Sequence, residues 1–292
     1  MAVKIACDSS ADLGKDFYEK HNVSVMPYII VLGNENYLDG ETISTEEIFD
    51  YVEKNKQLPK TAALNETIFT EFFEKIDNKD GVVYFNLSSR ITSTYENALP
   101  ASKKFEKIHV VDSRSLSSGE GMLVRYACQL AESGATFEEI VEKVEARKKF
   151  VQASFVIDRL DYLYKGGRCN SLQLLGANLL KLHPSIQVTQ EGKMQTNKKY
   201  RGKMQELVVK YIDDTLKEYD NPDKSFCFIT YTALTDQAII DNAVATAKKH
   251  GFEQVFQTTA SATISCHCGR NTIGILYFND GGVPADTKKN ID

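Results

Sequence analysis

"GVVYFNLSSRITSTY", residues 81–95, decides the fold class. Its opening, "GVVYFNL", is a short β-branched and aromatic run without polar alternation. That is the pattern of a strand covered on both faces, as in the parallel sheet of an α/β protein. The continuation, "LSSRITSTY" (87–95), carries six hydroxyls in nine residues, Tyr95 included. A polar loop at the carboxyl end of a buried strand is where α/β sheets bind ligands. It is also where Ser and Thr cap a following helix through local hydrogen bonds. The local sequence leaves both readings open.

The flanking segments repeat the pattern. "VKIAC" (3–7) runs into the polar turn "DSSADL", and "KIHVVDS" (107–113) reads as a second buried parallel strand. "VSVMPYIIVL" (23–32) is extended, with Pro27 marking an edge or a break between two short strands. Ser44 with Glu47, and Thr136 with Glu139, fit the capping box in which hydroxyl and carboxylate satisfy the first free amides of a helix.

After "QASFVID" (152–158) the character changes. "SLQLLGANLLKL" (171–182) reads as an apolar helix, and "PSIQVTQEGKMQTNKKY" (184–200) as a β-hairpin turning at Glu191-Gly192. A helix at about 203–219, a strand in "SFCFITYT" (225–232), a helix ending at His250-Gly251 and a strand in "GILYFN" (274–279) follow. The expectation is an α/β protein of two α/β domains. Residues 1–160 form an N-terminal domain with a mainly parallel sheet, and 161–280 a C-terminal domain with a mixed sheet. Residues 281–292 are expected to be a disordered tail.

Composition narrows the function. At 292 residues the chain is long for a single core, which supports the two-domain division. A formal net charge of −5 argues against nucleic acid, whose recognition needs a basic surface. The basic run Lys198, Lys199, Arg201 and Lys203 reads as a solvated face. "MAVKIACDSS" turns polar too early for a signal peptide, and no stretch approaches the ~18–20 apolar residues of a membrane span. Cys7, Cys128, Cys169, Cys227, Cys266 and Cys268 show no framework spacing, which fits reduced thiols in the cytoplasm.

A nucleotide site finds little support. "DSSADL" lacks the glycines of a dinucleotide loop, and "SSGEGM" (117–122) lacks a Walker lysine. "LPKTAALNE" (58–66) places Thr61 just before a helix, either as a cap or as a site hydroxyl. In "YLYKGGRCN" (162–170) a glycine turn either presents Arg168 or merely ends a helix beside a solvated arginine. "ISCHCGRN" (264–271) puts Cys266, His267 and Cys268 together, so a metal- or thiol-dependent enzyme is the alternative reading. A structural zinc site, however, needs a second pair of ligands that the sequence does not space correctly. A functional His267 flanked by small buried cysteines accounts for the stretch better.

Taken in order, "ACDSSADL", "MPY" with "YLDG", "LPKT", "SSRITSTY", "VVDSRSLSSGEG", "LDYLYKGGR", "GKM" with "KYRG", and "HCGRNTIG" resemble the DegV family over roughly residues 3–280. That family comprises bacterial fatty-acid-binding proteins, some of which are the lipid-presenting subunit of fatty acid kinase. The resemblance implies a two-domain α/β fold with a long-chain fatty acid in a pocket between the domains. It implies a carboxylate held at Thr61, Thr92, Ser93 and His267, and a separate kinase subunit, supplying ATP, that docks at Arg168. No cofactor and no catalytic residue of this chain are implied. The chain departs from the family pattern in places. Ala62, Ala63 and Leu64 replace serine, glutamine and proline. Thr92-Ser93 replaces serine-glycine, while Cys268, Arg270 and Asn271 replace threonine, proline and glycine. These changes are expected to re-dress the pocket mouth, which makes a carrier of a different apolar carboxylate the other alternative reading.

Overall fold

Val82–Asn86 is buried at every position, which is what its unbroken apolar run demands. A computed structural model describes residues 3–76, 79–171 and 182–282, and in it this strand lies inside a parallel sheet. The first half of the chain runs β1 (Lys4–Asp8), α1 (Lys15–Lys20), β2 (Ser24–Met26), β3 (Ile29–Leu32), β4 (Glu35–Leu38) and α2 (Thr45–Asn55). It continues with β5 (Lys60–Ala62), α3 (Glu66–Ile76), β6 (Val82–Asn86), α4 (Thr94–Ser102), β7 (Ile108–Asp112), α5 (Ser118–Glu132) and α6 (Phe137–Arg147). The second half runs β8 (Val151–Val156), α7 (Asp161–Gly166), β9 (His183–Val188), β10 (Met194–Tyr200) and α8 (Met204–Glu218). It closes with β11 (Phe226–Tyr231), α9 (Ala238–Lys249), β12 (Gln254–Thr259), α10 (Ala262–Cys268) and β13 (Ile273–Phe278).

The strands form three sheets. The first, ordered β2-β1-β6-β7, is parallel throughout, with Ile5 opposite Val83 and Val83 opposite His109. The second, ordered β10-β9-β8-β13-β11-β12, is mixed, since only the β11–β12 pair is parallel. A small antiparallel sheet, β4-β3-β5, hangs from the first half. Pro27 lies in the break between β2 and β3, where its missing amide costs no ladder bond. Both capping boxes are present, at Ser44/Glu47 on α2 and Thr136/Glu139 on α6.

α5 lies between the two large sheets, packed against β1 and β6 on one side and β8 and β13 on the other. Its near-total burial follows, and so does its first glycine: a Cβ on Gly119 would overlap Ser115 Oγ and stand 3.3 Å from both Ala153 and Leu276. One apolar cluster therefore joins Val83 and Phe85 to Ala153, Phe228 and Leu276 through Leu123. β8 is already paired into the six-stranded sheet, so the sheets change between β7 and β8, ahead of the expected boundary near residue 160. Residues 172–181 of the expected apolar helix, and 283–292 of the expected tail, lie outside the described residues.

Candidate functional site

α10 is seven residues long and too short to persist by propensity alone. Its first turn is held by carboxylates from the other half of the chain. Asp12, after β1, accepts Ser261 N at 2.9 Å, and Asp39, after β4, accepts Ala262 N at 3.0 Å and Thr263 N at 3.2 Å. A short helix anchored this way presents each face to a fixed neighbour. At about 100° per residue, Thr263 and His267 share one stripe, Ile264 and Cys268 the next, and Cys266 points elsewhere.

His267 meets Thr61 across the gap to β5, with Nε2 3.0 Å from Oγ1. Thr61 is a strand residue paired with Ile30 and not a helix cap; Asn65 caps α3 instead, its Oδ1 accepting Ile68 N at 3.0 Å. Burial pushes the His267 imidazole down to about 4, and the positive charge of Arg168 adds to that shift, so the ring is neutral near pH 7. Its Nδ1 is buried without a hydrogen-bond partner among the described residues, and it faces Gly166 so closely that a Cβ there would lie 2.8 Å away. An orphaned buried N–H is rarer in folded proteins than an under-satisfied acceptor, so the ring proton belongs on Nε2. That tautomer donates to Thr61 Oγ1 and leaves the threonine hydroxyl hydrogen free for a third group.

The loop after β6 supplies the opposite wall. Asp8 anchors its base, accepting Leu87 N at 2.8 Å and Asn86 Nδ2 at 2.9 Å. Thr92 does part of the work of a cap: its Oγ1 accepts Thr94 N at 3.3 Å and lies 2.7 Å from Thr94 Oγ1. Ser93 occupies the cap position of α4 but makes no capping bond, so its exposed hydroxyl is not used there. On α7, Gly167 adopts the left-handed conformation (φ 70°) that ends the helix. Arg168 is exposed just beyond it, with Nη1 donating to Gly166 O at 2.5 Å.

Thr61, Thr92, Ser93, Arg168 and His267 all line one cavity of about 170 Å3. Its interior is apolar, built from Leu87, Leu116, Phe155, Leu163, Met194 and Ile264. Phe155 and Met194 come from β8 and β10 of the six-stranded sheet, and Thr92 and Leu87 from the loop above the parallel sheet. The cavity therefore sits where the two meet. Sequence reading missed this apolar lining, whose members are scattered along the chain without a shared pattern.

The expected re-dressing of the mouth is only partly met. Ala62, Ala63 and Cys268 line the cavity, but Arg270 and Asn271 are not among its lining residues. Arg270 stacks over Phe49 at 4.6 Å and pairs with Glu46 and Glu53 on α2. Asn271 takes a left-handed conformation (φ 59°), which asparagine tolerates better than most residues, and its Oδ1 accepts Thr235 N at 2.8 Å. The backbone shape of a glycine is thus kept by a residue that bonds away from the mouth.

The thiol alternative fits the geometry poorly. Cys266 packs with Ile30 and Ile48, away from His267, and burial raises its thiol well above the ordinary range. Burial likewise pushes Cys268 up to about 12. Protonated, buried thiols are weak nucleophiles and weak ligands. Among the described residues, no three His, Cys, Asp or Glu side chains are grouped to hold a metal ion. No helix among them is long and apolar enough to cross a membrane.

Comparison with known proteins places this architecture. The family model described as "Uncharacterised protein, DegV family" matches residues 2–280. A DegV domain-containing protein of Clostridium perfringens is 31% identical over 225 residues, 75% of this chain and 80% of that one. A solved Thermus thermophilus structure, described as fatty acid binding of a DegV family protein, superposes with a TM-score of 0.86. The two sequences are 24% identical, over 95% of this chain and 99% of that one. A Thermotoga maritima structure, described as revealing a fatty acid binding function, superposes at 0.80 with 26% identity, over 95% and 99%.

Proposed function

The chain belongs to the DegV family, and we propose from that membership and from its cavity that it binds a long-chain fatty acid and presents the carboxylate to a separate kinase subunit, in the cytoplasm, for acyl-phosphate formation. The observation that carries this reading is the Thr61–His267 pair, 3.0 Å apart, beside the apolar interior of the cavity. Burying an acyl chain contributes ~0.8 kcal/mol per methylene, so about fifteen methylenes give a gross ~12 kcal/mol before association costs. The carboxylate opposes entry, because an unpaired buried charge costs several kcal/mol.

The cradle offsets that cost in a specific way. With Nε2–H donating to Thr61 Oγ1, the Thr61 hydroxyl points its own hydrogen at the ligand. His267 acts behind it, holding the hydroxyl in the donor orientation. Ser93 offers a second donor, Thr92 a third that competes with its bonds to Thr94, and Arg168 adds positive charge at the rim. The chain needs no cofactor for this, and the phosphoryl donor would come from the partner.

Thr61→Ala, Thr92→Ala and His267→Ala are each expected to weaken binding of a fluorescent fatty acid by about 1–3 kcal/mol without altering the fold. Thr61→Ala should be the most damaging, because it removes both the donor and the acceptor of the Nε2 proton. Three variants that bind as tightly as the parent would overturn this account of the cradle.

A further inference from the structure

Behind the main cavity lies a second, smaller chamber of about 30 Å3, bounded by the six-stranded sheet and the start of α5. The two share a wall made of Leu116, Phe155, Ile264 and Cys268, which line both. We propose that this inner chamber receives the methyl end of the bound acyl chain, and that Phe155 and Ile264 at the shared wall set the longest chain the protein accepts. The proposal rests on the fatty acid reading and names the specificity of that same site.

The chemistry of the lining points to hydrocarbon even though the residue names do not. Five serine and threonine residues surround the chamber, and their side-chain oxygens are bonded to protein groups. Ser117 Oγ donates to Asp12, and Ser154 Oγ lies 2.8 Å from Tyr211 OH. Thr230 Oγ1 lies 2.8 Å from Thr258 Oγ1, Thr232 Oγ1 donates to Gly269 O at 2.7 Å, and Thr272 Oγ1 donates to Cys268 O at 2.9 Å. What remains for a guest is methyl and methylene surface. A polar guest or a water would need partners of its own, and these are already engaged.

The stripes of α10 fix the direction. Thr263 and His267 line the main cavity alone, whereas Ile264 and Cys268, one position further round the helix, line both spaces. The chamber therefore opens on the side of the helix turned away from the carboxylate cradle. Its size admits a methyl-sized group, since one water-sized probe needs about 10–15 Å3 on this measure. A chain end that reaches it gains roughly fourfold in affinity for each methylene it buries.

The test is a competition. Purified protein, stripped of lipid, is equilibrated with an equimolar mixture of lauric, myristic, palmitic, stearic and arachidic acids, and the retained acids are quantified. Phe155→Ala, which removes part of the wall, should raise the ratio of longer to shorter acids at least about fourfold over the parent. Ala260→Leu, which fills the chamber from its far side, should lower the same ratio by a similar factor. Should Phe155→Ala fail to fold, Phe155→Leu gives the same direction with a smaller change. Parent and variants that retain acids in one unchanged profile would overturn the chamber assignment and leave fatty acid binding standing. A parent that retains none of the five acids would overturn the underlying reading itself.

Discussion

Arg168→Glu is expected to slow acyl-phosphate formation about a hundredfold in an assay with a cognate kinase and ATP, while changing fatty acid affinity by less than about fivefold. The contrast follows from where the side chain stands. Arg168 is exposed, follows a glycine pair, and bonds the carbonyl of Gly166 instead of the cradle hydroxyls. A rim charge of this kind contributes little to the affinity of a ligand whose main contacts are buried. A protein partner would cover it, and a guanidinium suits an acidic partner because its planar fork pairs bidentately with carboxylates. Reversing the charge places like charges across that contact, which costs several kcal/mol, more than a missing pair. Arg168→Ala should therefore be milder in turnover. Equal losses of binding and turnover would make Arg168 a ligand-holding residue, and no loss of either would make it a solvated helix-end arginine.

Gly192→Ala is expected to destabilise the protein by about 2–5 kcal/mol, an effect on the fold instead of the site. Gly192 sits at the tip of the β9–β10 hairpin with φ 84°, a conformation that costs other residues roughly 1–2 kcal/mol. A Cβ there would overlap Ser88 Oγ and come within 3.0 Å of Arg114 Cα, adding an overpacking cost of about 1–3 kcal/mol. The contact matters because Ser88 Oγ donates to Gly192 O at 2.8 Å, seating the hairpin from the six-stranded sheet on the loops above the parallel one. Gly134→Ala is the control: φ is 89°, but nothing lies within 4 Å of its Cβ position, so only the backbone cost of about 1–2 kcal/mol should appear. Urea unfolding at unchanged slope gives both values. Equal shifts in the two variants would show that the hairpin contact carries no energy.

The elements legible in the sequence are those whose determinants are local. Capping boxes at Ser44 and Thr136, the break at Pro27 and the turn at Glu191-Gly192 each depend on residues within a few positions of one another. α10 was not legible as a helix, because the Asp12 and Asp39 carboxylates that hold its first turn lie more than 200 residues away. β12, "QVFQTT", was passed over as well. It is an edge strand with partly exposed positions, so neither a continuous apolar run nor strict alternation marks it. Thr61 read as a possible cap because the pairing of β5 with β3 is a tertiary fact.

The site divides along the same line. Thr61, Thr92, Ser93, Arg168 and His267 could be singled out by residue type and by resemblance, and all five line one cavity. The role of Gly166 could not, since its missing side chain matters only because His267 Nδ1 arrives against it from residues a hundred positions later. Nor could the division of labour on α10, where neighbouring stripes face the cradle and the inner wall. That partition depends on a seven-residue helix being pinned at one end, which composition does not reveal.

Fatty acid binding is tested most simply by the ligand that the protein carries. Protein expressed in bacteria and purified without added lipid is extracted with organic solvent, and the extract is quantified by mass spectrometry against protein concentration. Long-chain fatty acid is expected at close to one molecule per chain, reduced in Thr61→Ala prepared identically. Parent protein that yields no fatty acid, or that carries zinc by elemental analysis in its place, would contradict fatty acid binding.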